Sequence, residues 1–454
     1  MFNFKKEFKM AQTNEYMGGE NFDLRDILIR GRKMNLKNKT EFFDSFLDSL
    51  LSNKQMLHLR CITSAADRTV TVVDAYTGEI KDMLMFGSNN YLGLANHPYI
   101  KEFVSKIIQK YGAGIGGPPL LNGYTALHHE LEERLAHLKG AEDVLLFSSG
   151  YGANVGLVSA LMNNEDLVVY DSYSHASFHD GIKMSGVQAV HFSHNDVELL
   201  SQTLERTASM NFKDRFVGVE GVYSMDGDVA PLDLIVPICK KNNAILIVDD
   251  AHGTGVMGKK GSGTAEHFGL DGEVDITMGT FSKSFAVTGG FVAASKSIIN
   301  YLRFFARSYM FSASLPPTVV ATVLAALDVM EKEPELHQKL RDNINYTAAC
   351  LNQLGFPANS LTPIFPLMVP VDMNIRNAAF EFHQKGIFIN SIEYPAVPKS
   401  QQRFRVSIMA THTKEDINRL MEVIADIWRN NKPEPTKQTE KMIVHSNTNK
   451  VLVN

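Results

Sequence analysis

The sequence is poor in the features that mark secreted, membrane-spanning or nucleic-acid-binding chains. Its 454 residues hold three cysteines, Cys61, Cys239 and Cys350. An odd number with no metal-ligand spacing argues against a disulfide framework or a zinc site, and fits reduced thiols in a cytosol-like compartment. Neither sign of charge dominates. The 45 Lys and Arg against 50 Asp and Glu leave a formal net charge of −5, which gives no nucleic-acid footprint. Long apolar runs are missing as well. The longest, roughly residues 316–326, begins at Pro316-Pro317 and soon meets Asp328, too short for a membrane span. The opening "MFNFKKEFKM" lacks the apolar core of a signal peptide, and no internal repeat is present. A cytoplasmic protein with no nucleic-acid partner is expected.

What remains is the composition of an ordinary globular protein, long enough for two or three domains. Residues 1–60 read as a charged extension with a helical pattern in "EFFDSFLDSLLSNKQMLHL", and residues 431–454 as a polar, proline-bearing tail. Between them, "DVLLF", "LVVY", "FVGVEG", "AILIVDD" and "GFVAAS" read as buried strands. "LHHELEERLAHLKG" and "GANVGLVSALMNN" read as helices. Apolar strands separated by helices predict an α/β domain over 61–330, its mostly parallel sheet covered on both faces. The pattern changes near Glu331, which predicts a smaller α+β domain over 331–430.

In such sheets, ligands gather at the carboxyl ends of the strands, and several groups fall there. "SSGYGAN" follows "DVLLF": a small turn opening a helix, whose Gly150 and Tyr151 N–H groups suit a phosphate. His175 follows "LVVYD", and Asp249 and His252 follow "AILIV". In "GTFSKSFAVTGG", Lys283 stands among small and hydroxyl residues, with Thr280 and Ser282 close by. Each has a bland alternative: a solvated lysine, a helix-capping aspartate, a structural histidine. One cofactor, pyridoxal 5'-phosphate, gives every group a task. Lys283 would form the Schiff base, Asp249 would pair with the ring nitrogen, and His175 would stack on the ring. His252 would reach the ring hydroxyl, and Gly150, Tyr151, Thr280 and Ser282 would hold the phosphate.

The same stretches, with "FGSNNYLGLANHP", "GYTALHHELEERLA", "SHAS", "GVYSMDGDVAPL", "FSASLPP" and "RFRVSIMATHT", resemble the α-oxoamine synthases from about residue 60 to 430. These are pyridoxal-phosphate enzymes of the aspartate-aminotransferase-like fold (fold type I). Members include serine palmitoyltransferase, 8-amino-7-oxononanoate synthase and 2-amino-3-ketobutyrate ligase. The resemblance implies condensation of an amino acid with an acyl thioester, usually with loss of carbon dioxide, in a homodimer with shared active sites. It implies further roles for Ser224 near the ring oxygen, Ser312 at the phosphate of the neighbouring subunit, and Asn89 and Arg405 at the substrate. For Asn89 a turn-forming role competes, and Arg403 is the alternate for Arg405.

Serine, or a serine-like amino acid, with a long-chain acyl thioester is the expected substrate pair. Glycine or alanine with a shorter acyl-CoA is the runner-up, and an aminotransferase the more distant rival. An inactive partner subunit is a third reading, disfavoured because Lys283 is present. The acyl carrier is coenzyme A or a carrier protein. Two departures stand out: Pro118-Pro119 replaces an arginine-containing pair, and Ala286 stands where glycine is common. The extension reads as a dimer arm, with contact to a membrane surface or carrier protein as the alternatives.

Overall fold

The computed structural model describes residues 24–359 and 361–430. The tail expected at 431–454 and the beginning of the extension lie outside the described residues. The seven-stranded central sheet is built from β1 (Asp143–Phe147), β2 (Leu167–Asp171), β3 (Gln188–Phe192), β4 (Arg215–Glu220), β5 (Ile245–Asp249), β6 (Ile276–Thr280) and β7 (Gly290–Ala294), in the order β1-β7-β6-β5-β4-β2-β3. Strands β3, β2, β4, β5 and β6 run parallel, while β7 is antiparallel to both β6 and β1. The fold is α/β, as expected.

The reversal of β7 has a simple cause. A parallel return needs a crossover of a dozen or more residues, and the loop 281–289 is too short for one. That short loop carries Lys283.

Both faces of the sheet are covered, and residue alternation along each strand divides the core. Val168, Phe216, Ile247 and Met278 pack with Leu157, Val158, Phe178 and Ile299 on one side. Leu167, Val169, Val217, Leu246 and Val248 pack with Leu200, Leu204, Ile235 and Val236 on the other. Burial of each such side chain contributes roughly 1.5–3 kcal/mol. The long apolar run forms the largely buried helix Pro317–Lys332, and among the described residues no helix is long and apolar enough to cross a membrane.

Beyond it lie the helices Glu335–Gln353, Ile375–Gln384 and Lys414–Asn430 and an antiparallel sheet of Ile364–Met368, Arg403–Ser407 and Asn390–Ile392. A four-stranded sheet joins Cys61–Ile62, Thr69–Val73 and Ile80–Met85 to Ile387–Phe388. The division near residue 330 stands as a proposal, and this sheet runs across it: residues 61–85 pair with the late segment, not with the central sheet. Backbone bonds continue the stitching, with Phe86 N donating to Phe388 O, Ser407 N to Phe86 O and Ala410 N to Tyr91 O.

Candidate active site

The carboxyl ends of the parallel strands deliver acids and histidines to one cleft. Asp249 ends β5 and is buried. Its Oδ2 accepts a 2.7 Å bond from Asn154 Nδ2, and its Oδ1 a 3.1 Å bond from Ala251 N. Asn154 also donates to Ser177 Oγ at 2.9 Å, and Ser177 Oγ lies 2.7 Å from His175 Nδ1. His175 caps the helix Ala176–Ser185 through that same nitrogen. The capping role fixes the ring's orientation while leaving the residue exposed. Structural and functional readings of His175 are therefore compatible.

Glu220 ends β4 directly beside Asp249 in the strand register. Burial, together with the Asp249 charge, pushes its carboxyl well above the ordinary range, and its Oε1 has no hydrogen-bond partner. Two neighbouring buried acids share one negative charge more cheaply than two.

Lys283 sits on the loop between β6 and β7, where Ala286 N bonds back to Lys283 O. Its amine makes no hydrogen bond or ion pair among the described residues. Burial lowers its pKa, Asp249 and Glu220 partly restore it, and Arg405 lowers it again, to about 8. Ala286 adopts φ 54°, the left-handed region that favours glycine.

Across the cleft, Arg405 on strand Arg403–Ser407 is buried and has no acidic partner among the described residues. Its Nε donates to Ser224 O at 2.6 Å, Nη1 to Asn89 Oδ1 at 2.8 Å and Ser407 Oγ at 3.1 Å, and Nη2 to Tyr91 Oη at 3.2 Å. One N–H of Nη2 is left over. A bidentate grip on a carboxylate therefore requires one of the present partners of Arg405 to yield. Arg403, the alternate, is engaged by Asp226 at 2.5 Å. His252 is buried, with Nδ1 2.8 Å from Tyr91 Oη. Burial and the Lys283 and Arg405 charges hold its pKa well below the ordinary value.

The opposite end of the cleft suits a phosphate. Gly150 and Tyr151 begin the helix Gly150–Leu161, ahead of its first backbone bond from Ala153 N, so their N–H groups are unclaimed by the helix. Thr280 Oγ1 lies 2.9 Å from Ser282 Oγ. A side chain at Gly150 would place its Cβ 2.8 Å from Thr280 Oγ1, so only glycine lets the helix start and the hydroxyls close around one small space.

Ser312 lies in a narrow neighbouring pocket with Ser148, Pro119 and Ser314, and makes no hydrogen bond to the cradle residues. Pro118 O accepts from both Leu121 N and Gly123 N, forming a tight turn that leaves Leu121 exposed. Among the described residues no group of acids, histidines and cysteines could hold a metal.

The donor set fits pyridoxal phosphate: a lone poised amine, an oriented buried acid, an open imidazole face and a small anion cradle. The buried Asn154 Oδ1 and Glu220 Oε1 lack partners in the protein, as polar atoms facing a ligand would.

Sequence reasoning missed four contributors. Asn154, Glu220 and Tyr91 are one group. The other is His194, which bridges Asp171 (3.1 Å) and Asp228 (2.6 Å). Against burial, those carboxylates raise its pKa to about 9, and the resulting clamp secures the loop that carries Ser224.

Comparison with known proteins shows the family. The family described as aminotransferase class I and II matches residues 81–424. A serine palmitoyltransferase of Bacteriovorax stolpii is 41% identical over 419 residues, covering 92% of this chain and 94% of that one. An 8-amino-7-oxononanoate synthase of Bacillus velezensis is 38% identical, covering 85% and 96%. Among solved structures, a serine palmitoyltransferase from S. paucimobilis with PLP and myriocin bound superposes with a TM-score of 0.81. It shares 31% identity and covers 87% of this chain and 99% of that one.

Proposed function

Because the chain belongs to the α-oxoamine synthases, pyridoxal-phosphate-dependent acyltransferases that join an amino acid to an acyl thioester, we propose a finer reading: serine, or a serine-like amino acid, condensed with a long-chain acyl thioester in lipid synthesis. The observation that carries the site assignment is the partnerless Lys283 amine, poised near pH 8 between the Asp249 and Glu220 acids and the acid-free Arg405.

When bound, pyridoxal phosphate supplies an electron sink for the amino acid's α-carbon. In our reading Lys283 anchors it and afterwards moves the α-proton, a task for which an amine of lowered pKa is suited. Asp249, held by Asn154, would keep a proton on the ring nitrogen. His175 would pack against the ring, and His252 and the Ser224 loop would face its oxygen. Gly150, Tyr151, Thr280 and Ser282 hold the phosphate. Arg405 and Asn89 receive the amino acid's carboxylate. The new carbon–carbon bond forms as the thiol leaves, and carbon dioxide is then lost.

Leu121, Tyr124, Phe304, Phe305 and Phe311, all exposed, support the proposal of a homodimer that completes the site through Ser312. A cytoplasmic location, with peripheral membrane contact through the extension, belongs to the same proposal.

The test is purified holoenzyme offered serine, glycine, alanine or cysteate with acyl-CoAs of graded length, following free thiol. Serine with long acyl chains is expected to be fastest. Preference for alanine or glycine with short chains would move the reading to the runner-up. Turnover with a keto acid and no thiol release would overturn it.

A further inference from the structure

Tyr91 touches both halves of the cleft, and its ring is wholly buried. Its hydroxyl meets His252 Nδ1 at 2.8 Å, Asn89 Oδ1 at 3.2 Å and Arg405 Nη2 at 3.2 Å. A guanidinium can only donate, so Arg405 uses an oxygen lone pair, and the phenol has one proton to give. Asn89 Oδ1 already accepts from Arg405 Nη1 at 2.8 Å and is the farther candidate. An amide oxygen has two lone pairs, so Asn89 Oδ1 at 3.2 Å is a rival acceptor, and it is the shorter 2.8 Å contact that assigns the proton to His252 Nδ1. An imidazole that accepts at Nδ1 carries its own proton on Nε2. Nε2 makes no hydrogen bond among the described residues. Burial and the neighbouring Lys283, Arg405 and His175 oppose a second proton on His252.

We infer that Tyr91 is a positioning residue that locks His252 as the Nε2–H tautomer, so that the imidazole presents a donor to the oxygen on the cofactor ring. The inference rests on the proposed placement of His252 beside that oxygen. The opposite tautomer would present a lone pair to an oxygen that carries negative charge when the ring is bound, which is repulsive. Arg405, by occupying the phenol's lone pair, keeps Tyr91 pointed the right way. Tyr91 thus links the group that faces a carboxylate to the group that faces the ring.

The experiment begins with the cofactor-free full chain carrying ¹⁵N-histidine. Long-range proton–nitrogen NMR is expected to show His252 protonated only at Nε2 in the wild type, and as a tautomer mixture in Tyr91→Phe. Asn89→Ala, which keeps the phenol, is expected to retain the wild-type pattern. In reconstituted enzyme, Tyr91→Phe should move the pH midpoint of the cofactor's absorbance change by roughly half to one unit. Reconstitution with a cofactor lacking the 3-hydroxyl should abolish that difference. A wild-type proton on Nδ1, an unchanged tautomer in Tyr91→Phe, a switched one in Asn89→Ala, or an unmoved midpoint would each overturn the inference. The Lys283 assignment is read separately, from whether the absorbance forms at all.

Discussion

Two lysines lie beside two consecutive aspartates, and they are treated in opposite ways. Lys139 is paired with Asp250, their side chains 4% and 2% exposed. It donates to Asp250 Oδ2 and Thr254 Oγ1, each at 2.8 Å, and to Ser262 O. Asp250 in turn accepts from the amide and hydroxyl of Thr264. Gly263, at φ 134°, passes so close that a Cβ there would lie 1.8 Å from Asp250 Oδ2. Lys283, near Asp249, has no such company. The difference separates two uses of a lysine: one saturated with partners to hold loops together, the other left short of partners so that its proton is easily lost.

The largest expected effect tests the saturated lysine. Lys139→Met leaves Asp250 buried without its cation and should cost about 3–5 kcal/mol in denaturant unfolding of the cofactor-free protein. A loss within about 0.5 kcal/mol would mean that the strut is idle. The same replacement at the other lysine should have the opposite sign. Lys283→Met should stabilise the cofactor-free protein by up to about 3 kcal/mol at pH 7, while abolishing the cofactor's protein-linked absorbance.

The pH dependence sharpens this contrast. The folded pKa of Lys283, about 8, lies below the ordinary 10.5 of an exposed lysine. Between those values the unfolded chain binds the extra proton, so this group's destabilising contribution fades as pH rises from about 8 to 10.5. The advantage of Lys283→Met should shrink across that window, and an advantage that is the same at pH 7 and pH 10 would remove the assignment. The smallest effect concerns the loop itself. Ala286→Gly relieves a left-handed residue at the expense of a floppier unfolded chain, so a net gain of at most about 1 kcal/mol is expected in thermal unfolding. A loss beyond that would show that the φ 54° backbone carries no strain.

The strands β1, β2, β4, β5 and β7 and their cleft were legible because apolar runs ended in chemically distinctive residues. Glu220 follows "FVGV" just as Asp249 follows "LIV", so the same signal was present, but without a neighbouring histidine it had no chemistry to attach to. Asn154 is hidden in "GANVGLVSAL", where one polar residue in an apolar helix was the only hint. Strand Thr69–Val73, alternating between buried and half-buried positions, lacks the continuous apolar run used elsewhere. The antiparallel β7 is a matter of loop length, which apolar patterning does not report. How Arg405 divides its donors between Asn89, Tyr91 and Ser224 is set by three segments distant in sequence, and no local pattern encodes it.

The four-stranded sheet that unites Ile80–Met85 with Ile387–Phe388 has a consequence for how such an enzyme diversifies. Residues 86–91 are stitched to 388, 407 and 410, so Asn89, Tyr91 and Arg405 form one hydrogen-bonded block, while Lys283, Asp249 and His175 lie on other segments. A chimaera that exchanged only one partner of the first block would strand buried donors. Selection for a new amino acid must therefore act on sequence-distant segments in concert, and can do so without touching the lysine loop.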